Sequence, residues 1–426
     1  MRFISLAFSM VAGSVSCLAL GSEQTNMTLI KLSDKKVFSR VNSDRSANRF
    51  AVDSIPELQT IAVKTDDPRL QNFIDLYKHN IVYQTPMLNI HLPRQRIQGV
   101  HENLSEGTNR TWGMVAIQAP EAWRVSKGEG IVVAVSDTGI YRSHGDLKEN
   151  IWQNPGETGR DAQGRNKATN RIDDDANGHI DDTWGWAFNT NNNNPYDEHY
   201  HGTHVAGTIA APMNGIGVVG AAPKAKLMSL KFIGGNGSGT DLGGAQTIVY
   251  AAKNGARIVN CSWGGSGDSP VITDAVAYAQ ARNVLVVTAA GNDGSNTDRF
   301  LHIPSGINLD NVISVGATAN RAGAKARFSN YGILTVDLAA PGVDVMSTFN
   351  PLANTSKRSL YAKLSGTSMA SPHVAGVAAL IWSAQPQLTY LQVKQILMDK
   401  TVKVSPWRNK SLTEGVLNAK KSLEGF

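Results

Sequence analysis

From about residue 112 to the C-terminus, short apolar runs alternate with stretches of helical spacing. The runs at 131–135, 227–233, 257–261, 284–287 and 312–315 are rich in Val, Ile and Leu and do not alternate apolar with polar positions. Strands of that kind are buried on both faces, which predicts a parallel sheet. Between several of them lie segments such as 241–253 and 271–282, whose apolar residues recur at helical spacing. The pattern predicts an α/β architecture, a doubly wound and mostly parallel sheet with helices on both faces. In such sheets, sites form where strands end and helices begin. Asp137, Ser262 and Asn292 each stand just after a predicted strand.

Residues from about 22 to 105 differ in character, being richer in charge and poor in glycine. The segment 58–64 reads as a strand. Residues 67–77 have helical spacing, with Leu70, Phe73, Ile74 and Tyr77 on one face, and 81–83 and 87–92 suggest further strand. A small α+β unit is expected, followed by a polar linker through Glu102, Asn103, Ser105, Glu106 and Gly107 that is open to proteolysis.

The extreme N-terminus has the layout of a secretory signal. Arg2 supplies charge, residues 4–20 the apolar region, and Ala19-Leu20-Gly21 a small-x-small cleavage pattern, so residues 1–21 are expected to be removed on export. Ser14-Val15-Ser16 before Cys17 offers a second cut with lipidation of Cys17, but Ser14 replaces the leucine usual there. The product is expected to be secreted or periplasmic. No later apolar run reaches the length of a membrane span. With the first cut, Cys261 is the only remaining cysteine, which leaves no intrachain disulfide. The 426-residue chain carries a net charge of +6, but its lysines and arginines are scattered, so no nucleic-acid partner is expected.

Three motifs carry chemistry. Asp137-Thr138-Gly139 follows a buried strand; His201-Gly202-Thr203-His204-Val205-Ala206-Gly207 turns into a helix; and Gly366-Thr367-Ser368-Met369-Ala370-Ser371-Pro372-His373 opens an apolar helix. Pro372 is expected in the first turn of that helix, where its missing N–H costs nothing. Ser368 then faces unpaired N–H groups, which can receive an oxyanion. Taken alone, such a serine is an ordinary helix cap. A serine hydroxyl becomes nucleophilic when a histidine takes its proton and a carboxylate orients that histidine. The order Asp, His, Ser is that of subtilisin, and differs from the chymotrypsin and α/β-hydrolase orders.

On these motifs, the chain from about Trp112 onward resembles the subtilisin family of serine proteases, the subtilases or peptidase family S8. The resemblance implies a subtilisin-like fold in residues 106–426 and a serine endopeptidase acting on protein or peptide substrates. It implies that Asp137, His201 and Ser368 form the catalytic triad, with His204 a packing neighbour. Ala289-Ala290-Gly291-Asn292 is similar to the family's oxyanion segment, so the Asn292 amide and the Ser368 N–H are expected to hold the oxyanion. Ser262-Trp263-Gly264-Gly265 and Gly237-Ser238-Gly239 resemble the two edges between which substrate pairs as a strand. Trp263 is equally readable as core. The primary pocket is expected between residues 262–265 and 289–292; these carry no acid, although Asp293 sits just beyond, which predicts broad or apolar preference. The family's N-terminal prosegment, chaperone and inhibitor of its own enzyme, would correspond to residues 22–105, although a permanent N-terminal domain also fits. Tyr200 stands where a small residue is usual. The rival reading is a peptide-binding scaffold whose triad is silent.

In Asp173-Asp174-Asp175-Ala176-Asn177-Gly178-His179-Ile180-Asp181-Asp182, oxygen ligands recur at alternate positions around a glycine, like the first half of an EF-hand loop. Trp184 stands where the closing glutamate would be. Structural calcium is expected on Asp173, Asp175, Asn177 and His179, closed by Asp182 or Asp181. By resemblance alone, a second calcium is implied at Asp146 with the loop Asn214-Gly215-Ile216-Gly217-Val218, where Met213 replaces a common asparagine.

Overall fold

The computed structural model describes residues 24–43, 49–93, 97–101, 111–319, 321–352 and 359–426. The signal, Cys17 and linker expectations lie outside the described residues. The N-terminal unit comprises β1 (Gln24–Leu32), α1 (Lys35–Asn42), β2 (Asp53–Ile55), β3 (Thr60–Lys64), α2 (Leu70–Tyr77) and β4 (Ile81–His91), followed by β5 (Gln98–His101). Its strands are antiparallel in the order β2-β3-β1-β4. Side chains alternate between the two faces of a strand, and here both faces are buried. Ile30, Ile61 and Val63 pack with Phe38, Leu70 and Phe73 beneath the two helices. Leu29, Ala62, Met87 and Ile90 face the other way, into a core shared with Leu242, Ile272 and Phe232 of the following domain.

That domain holds a nine-stranded sheet. In chain order its strands and helices are α3 (Trp112–Ala116), α4 (Ala119–Ala122), β6 (Val132–Asp137), β7 (Gly185–Ala187), α5 (His201–Ala210), β8 (Lys226–Lys231), β9 (Ser238–Thr240), α6 (Asp241–Lys253), β10 (Ile258–Cys261), β11 (Gly265–Ser266), α7 (Pro270–Gln280), β12 (Leu285–Ala289), β13 (His302–Ile303) and β14 (Val312–Thr318). There follow β15 (Leu338–Pro341), β16 (Val345–Thr348), β17 (Tyr361–Leu364), α8 (Thr367–Ala384), α9 (Tyr390–Asp399), β18 (Val402–Lys403), β19 (Gly415–Val416) and α10 (Ala419–Ser422). The sheet order is β18-β19-β15-β14-β12-β10-β6-β8-β7, parallel except for the β18–β19 pair. The chain leaves β6 in one direction to β8 and later returns on its other side to β10. That reversal creates the crevice at the strand ends where α/β proteins place their sites.

Helix α8 is buried from Thr367 to Trp382 and packs against the sheet, as its nearly uninterrupted apolar sequence requires. In this helix Pro372 departs from the sequence reading: it lies inside the helix, not in its first turn. A proline there has no N–H for the carbonyl four residues earlier, and that carbonyl belongs to Ser368.

The two units meet through the sheet and through polar contacts. β4 pairs antiparallel with β9, extending the N-terminal sheet to five strands. Asp241, at the start of α6, accepts the Leu88 N–H at 3.1 Å, and Lys31 pairs with Asp274 on α7 at 2.8 Å. β5 adds to the β16–β17 hairpin, with Ala362 opposite Val100. Among the described residues, no helix is long and apolar enough to cross a membrane.

Candidate active site

Asp137 ends β6 and is fully buried. One of its oxygens accepts the Thr138 N–H at 2.7 Å, and both approach His201 Nδ1, at 2.8 and 3.0 Å. The approach depends on Gly202: a Cβ there would stand 2.2 Å from the Gly139 carbonyl oxygen, so a larger residue would lever the first turn of α5 off the Asp137 turn. A buried carboxylate that sequence reading missed, Asp197, ties the two motifs together. It accepts the Thr138 hydroxyl at 2.8 Å and the Thr203 N–H at 3.0 Å, as well as the N–H groups of His199 and Tyr200 at 2.8 and 3.0 Å. With the Thr203 hydroxyl at 2.5 Å, five donors meet an Asp four residues before His201; that is the work of a turn residue, and only its buried position links it to Thr138.

Tyr200 has φ +143°, a region costly for a tyrosine. It is held by Asp197 and by stacking between His199 and Phe349, with ring centroids 4.1 and 5.0 Å away. His204 lies one turn on and faces the Val345 and Ala362 carbonyl oxygens at 3.0 and 3.1 Å; burial pushes its imidazole down to about 3, so it stays neutral. His201 Nε2 is buried and has no hydrogen-bond partner.

Ser368 sits in the first turn of α8, and its hydroxyl donates to the Ser262 carbonyl oxygen at 2.9 Å. The Ser368 carbonyl, left free by Pro372, accepts the Ser262 hydroxyl at 2.9 Å. Ser262 and Ser368 are therefore fastened to each other twice, and the proline inside the helix makes the second bond available. Ser262 follows β10, whose Cys261 lies opposite Ser136 on β6, so this wall lies beside Asp137 at the same edge of the sheet. Asn292 follows β12. Its side-chain oxygen accepts the Thr367 N–H and hydroxyl at 2.8 and 3.0 Å, which leaves its NH2 group to donate elsewhere.

The expected substrate edges have different partners. Trp263 is core: its indole donates to the Ser136 hydroxyl at 3.1 Å and meets Phe232 edge-on at 4.8 Å, so only its backbone is available to a peptide. Ser238 and Gly239 are paired with the chain's own β4, and just beyond it the Leu92 N–H donates to the Gly237 carbonyl at 2.8 Å. Gly264 abuts His302. Cys261 is a free, fully buried thiol pushed far up by desolvation, hence inert.

In the acidic loop, Asp175 and Asp182 meet Glu157, which sequence reading missed; their oxygens lie within 4.8 Å of one another. Burial and the neighbouring carboxylates push Glu157 up to about 7, and its Oε2 has no partner. Three converging carboxylates, one with an orphaned buried oxygen, fit a hard cation. The Asn177 amide nitrogen donates to Asp175 and Asp182 at 3.2 and 2.8 Å. Asp173 and His179 are turned elsewhere. Asp173 takes the Asn177 and Gly178 N–H groups, while His179 is boxed in by Trp186, Phe188 and Tyr250. Asp181 accepts the Arg171 N–H. At the other expected site, Asp146 is buried, pushed up to about 6 by desolvation, and its Oδ1 has no partner; the Asn214 amide donates to Gly145 O at 3.4 Å beside it.

A profile of the subtilase family matches residues 128–421. Thermitase of Thermoactinomyces vulgaris is 36% identical over 277 residues, covering 65% of this chain and 83% of thermitase. An extracellular protease of Xanthomonas campestris pv. campestris is 39% identical over 302 residues, 67% of this chain but about half (49%) of that protein. Among solved structures, fervidolysin from Fervidobacterium pennivorans, a keratinolytic enzyme related to subtilisin, superposes with a TM-score of 0.72 at 25% identity. That superposition covers 96% of this chain and 62% of fervidolysin, so it takes in the N-terminal unit. Fold, motif order and these relatives agree: the chain belongs to the subtilase family and is a serine-type endopeptidase with a subtilisin-like fold.

Proposed function

We propose that this is an exported endopeptidase made as a zymogen, in which Ser368 is the nucleophile, His201 the general base and Asp137 its orienting carboxylate. The observation that carries the reading is the buried Asp137–His201 pair, whose Nε2 has no partner, together with Ser368 in the first turn of α8, the helix that packs against α5. Asp137 accepts from Nδ1, so the proton sits there and Nε2 is free to take one. For that proton to pass, the Ser368 hydroxyl must turn from the Ser262 carbonyl to Nε2. Attack on a peptide carbonyl then forms a tetrahedral oxyanion, which the Asn292 NH2 group and the Ser368 N–H stabilise. His201 returns its proton to the leaving amine, and water hydrolyses the acyl-enzyme by the same route. An unfolded protein substrate should be cut at internal bonds, with several new N-termini per chain on sequencing; trimming from the ends alone would contradict the reading.

The zymogen reading is supported by residues 89–92. They run as a strand along Gly237–Thr240, with Ile90 opposite Gly239 and the His91 ring against the Ser238 hydroxyl at 2.9 Å, which is how a peptide substrate would pair. Residues 22–105 then act as inhibitor and folding template. Export is supported by the secretory signal and by the extracellular relative.

Calcium would be held by Glu157, Asp175 and Asp182, where it neutralises carboxylates that otherwise repel one another, and a second ion by Asp146 with the 214–218 loop, where it compensates one buried carboxylate. At calcium about 100-fold above its Kd, chelation is expected to remove about 2.7 kcal/mol of stability. The melting temperature should fall by several degrees, and the dependence should weaken in a Glu157→Gln, Asp175→Asn double variant. A melting curve indifferent to chelator would contradict the assignment.

A further inference from the structure

The segments expected to wall the primary pocket leave the sheet side by side, since β10 and β12 are parallel with Cys261 opposite Thr288. What lies between them comes from neither segment. β13 pairs antiparallel with β11, Ser266 opposite His302, and the imidazole of His302 lodges between the two walls. Its Cε1 is 2.3 Å from where a Cβ on Gly264 would stand, and its Nε2 2.8 Å from one on Gly291. The ring meets glycine on both walls, and the space that bare backbone opens is taken by the ring together with the Ile303 carbonyl at Gly264 and, at Gly291, the Asn330 amide, 2.3 Å from where that Cβ would stand. His302 Nδ1 is fixed by the Ser305 hydroxyl at 2.9 Å, which pins the ring plane. Only 8% of the residue is exposed, and burial holds its imidazole down to about 4, neutral at neutral pH.

Resting on the endopeptidase reading, we propose that His302 forms the floor of the pocket for the residue on the acyl side of the scissile bond, and restricts it to small, uncharged side chains. A pocket shortened by one methylene already discriminates by roughly 10- to 200-fold, and an imidazole removes more depth than that. The floor itself carries no charge to select a lysine, arginine or glutamate, although Asp293, one residue beyond the wall, is close enough to act on the ring electrostatically.

The test is a series of tetrapeptide p-nitroanilides differing only in that residue, compared as ratios of kcat/KM. The wild type is expected to favour Ala over Phe by at least about tenfold. His302→Gly should shift the Phe/Ala ratio towards Phe by at least about tenfold, and His302→Gln, which keeps the bulk, should leave the ratio on the Ala side. A wild type that cleaves Phe as well as Ala would overturn the proposal even if neither variant accumulates, as would a His302→Gly ratio equal to that of the wild type. Hydrolysis of none of the series by folded wild type is a different failure, since it removes the endopeptidase reading itself.

Discussion

Ser368→Ala is expected to lower kcat by about 10⁶ while KM stays within a few-fold, the size of loss that subtilisin, a relative of this chain, shows when its nucleophile is removed. The alanine keeps helix α8 intact, because every contact that seats the turn other than the hydroxyl's own is made by backbone or neighbours. The Ser368 carbonyl still accepts from Ser262, and Thr367 still binds Asn292. What disappears is the hydroxyl proposed to become the acyl ester. The oxyanion donors remain, so a residual rate above the uncatalysed one should persist. If maturation is autocatalytic, the same variant should accumulate as full-length precursor, visible on a denaturing gel. Normal processing in Ser368→Ala would assign maturation to another protease.

Asp137→Asn should cost about 10⁴ in kcat, and the hydrogen bonds around Asp137 say why. The Thr138 N–H donates to Oδ1 at 2.7 Å, so an asparagine must keep its carbonyl oxygen there. Its NH2 then replaces the oxygen that lies 3.0 Å from His201 Nδ1. A donor in that place competes with the retained Oδ1, 2.8 Å from Nδ1, and favours the tautomer protonated on Nε2, which cannot accept the serine proton. The fold should survive, because asparagine has the same shape and Asp197 continues to hold Thr138 and Thr203. Activity on a peptide substrate, measured beside an unchanged circular dichroism spectrum, checks this; a kcat within tenfold of wild type would show that Asp137 does not orient the base.

Much of the catalytic domain is legible in the residues alone, because parallel strands covered on both faces leave unbroken apolar runs. β6, β8, β10, β12 and β14 fall on those runs to within a few residues, and α6 on its expected span. β1 has no such signal: its first residues are polar, and only the shared core shows why Leu29 and Ile30 are both buried. In the acidic loop, alternate oxygen ligands point to Asp173 and His179 as well, whereas Asp173 accepts two backbone N–H groups and His179 packs against aromatic rings. The third carboxylate, Glu157, is distant in sequence and has no periodicity to announce it. His302 is hidden for a similar reason: its place between Gly264 and Gly291 is set by a two-residue strand pairing that no sequence period encodes. Pro372 has the look of a helix-start residue, yet its lack of an N–H matters from within the helix, where it frees the Ser368 carbonyl for Ser262.

The role of Ser368 as a nucleophile activated through His201 and Asp137 can be read directly by labelling the matured protein with a fluorophosphonate and locating the adduct by mass spectrometry. The expected result is one phosphonyl group per molecule on Ser368, formed far more slowly in Asp137→Asn. An unlabelled wild type, or an adduct on any other residue, would contradict the assignment.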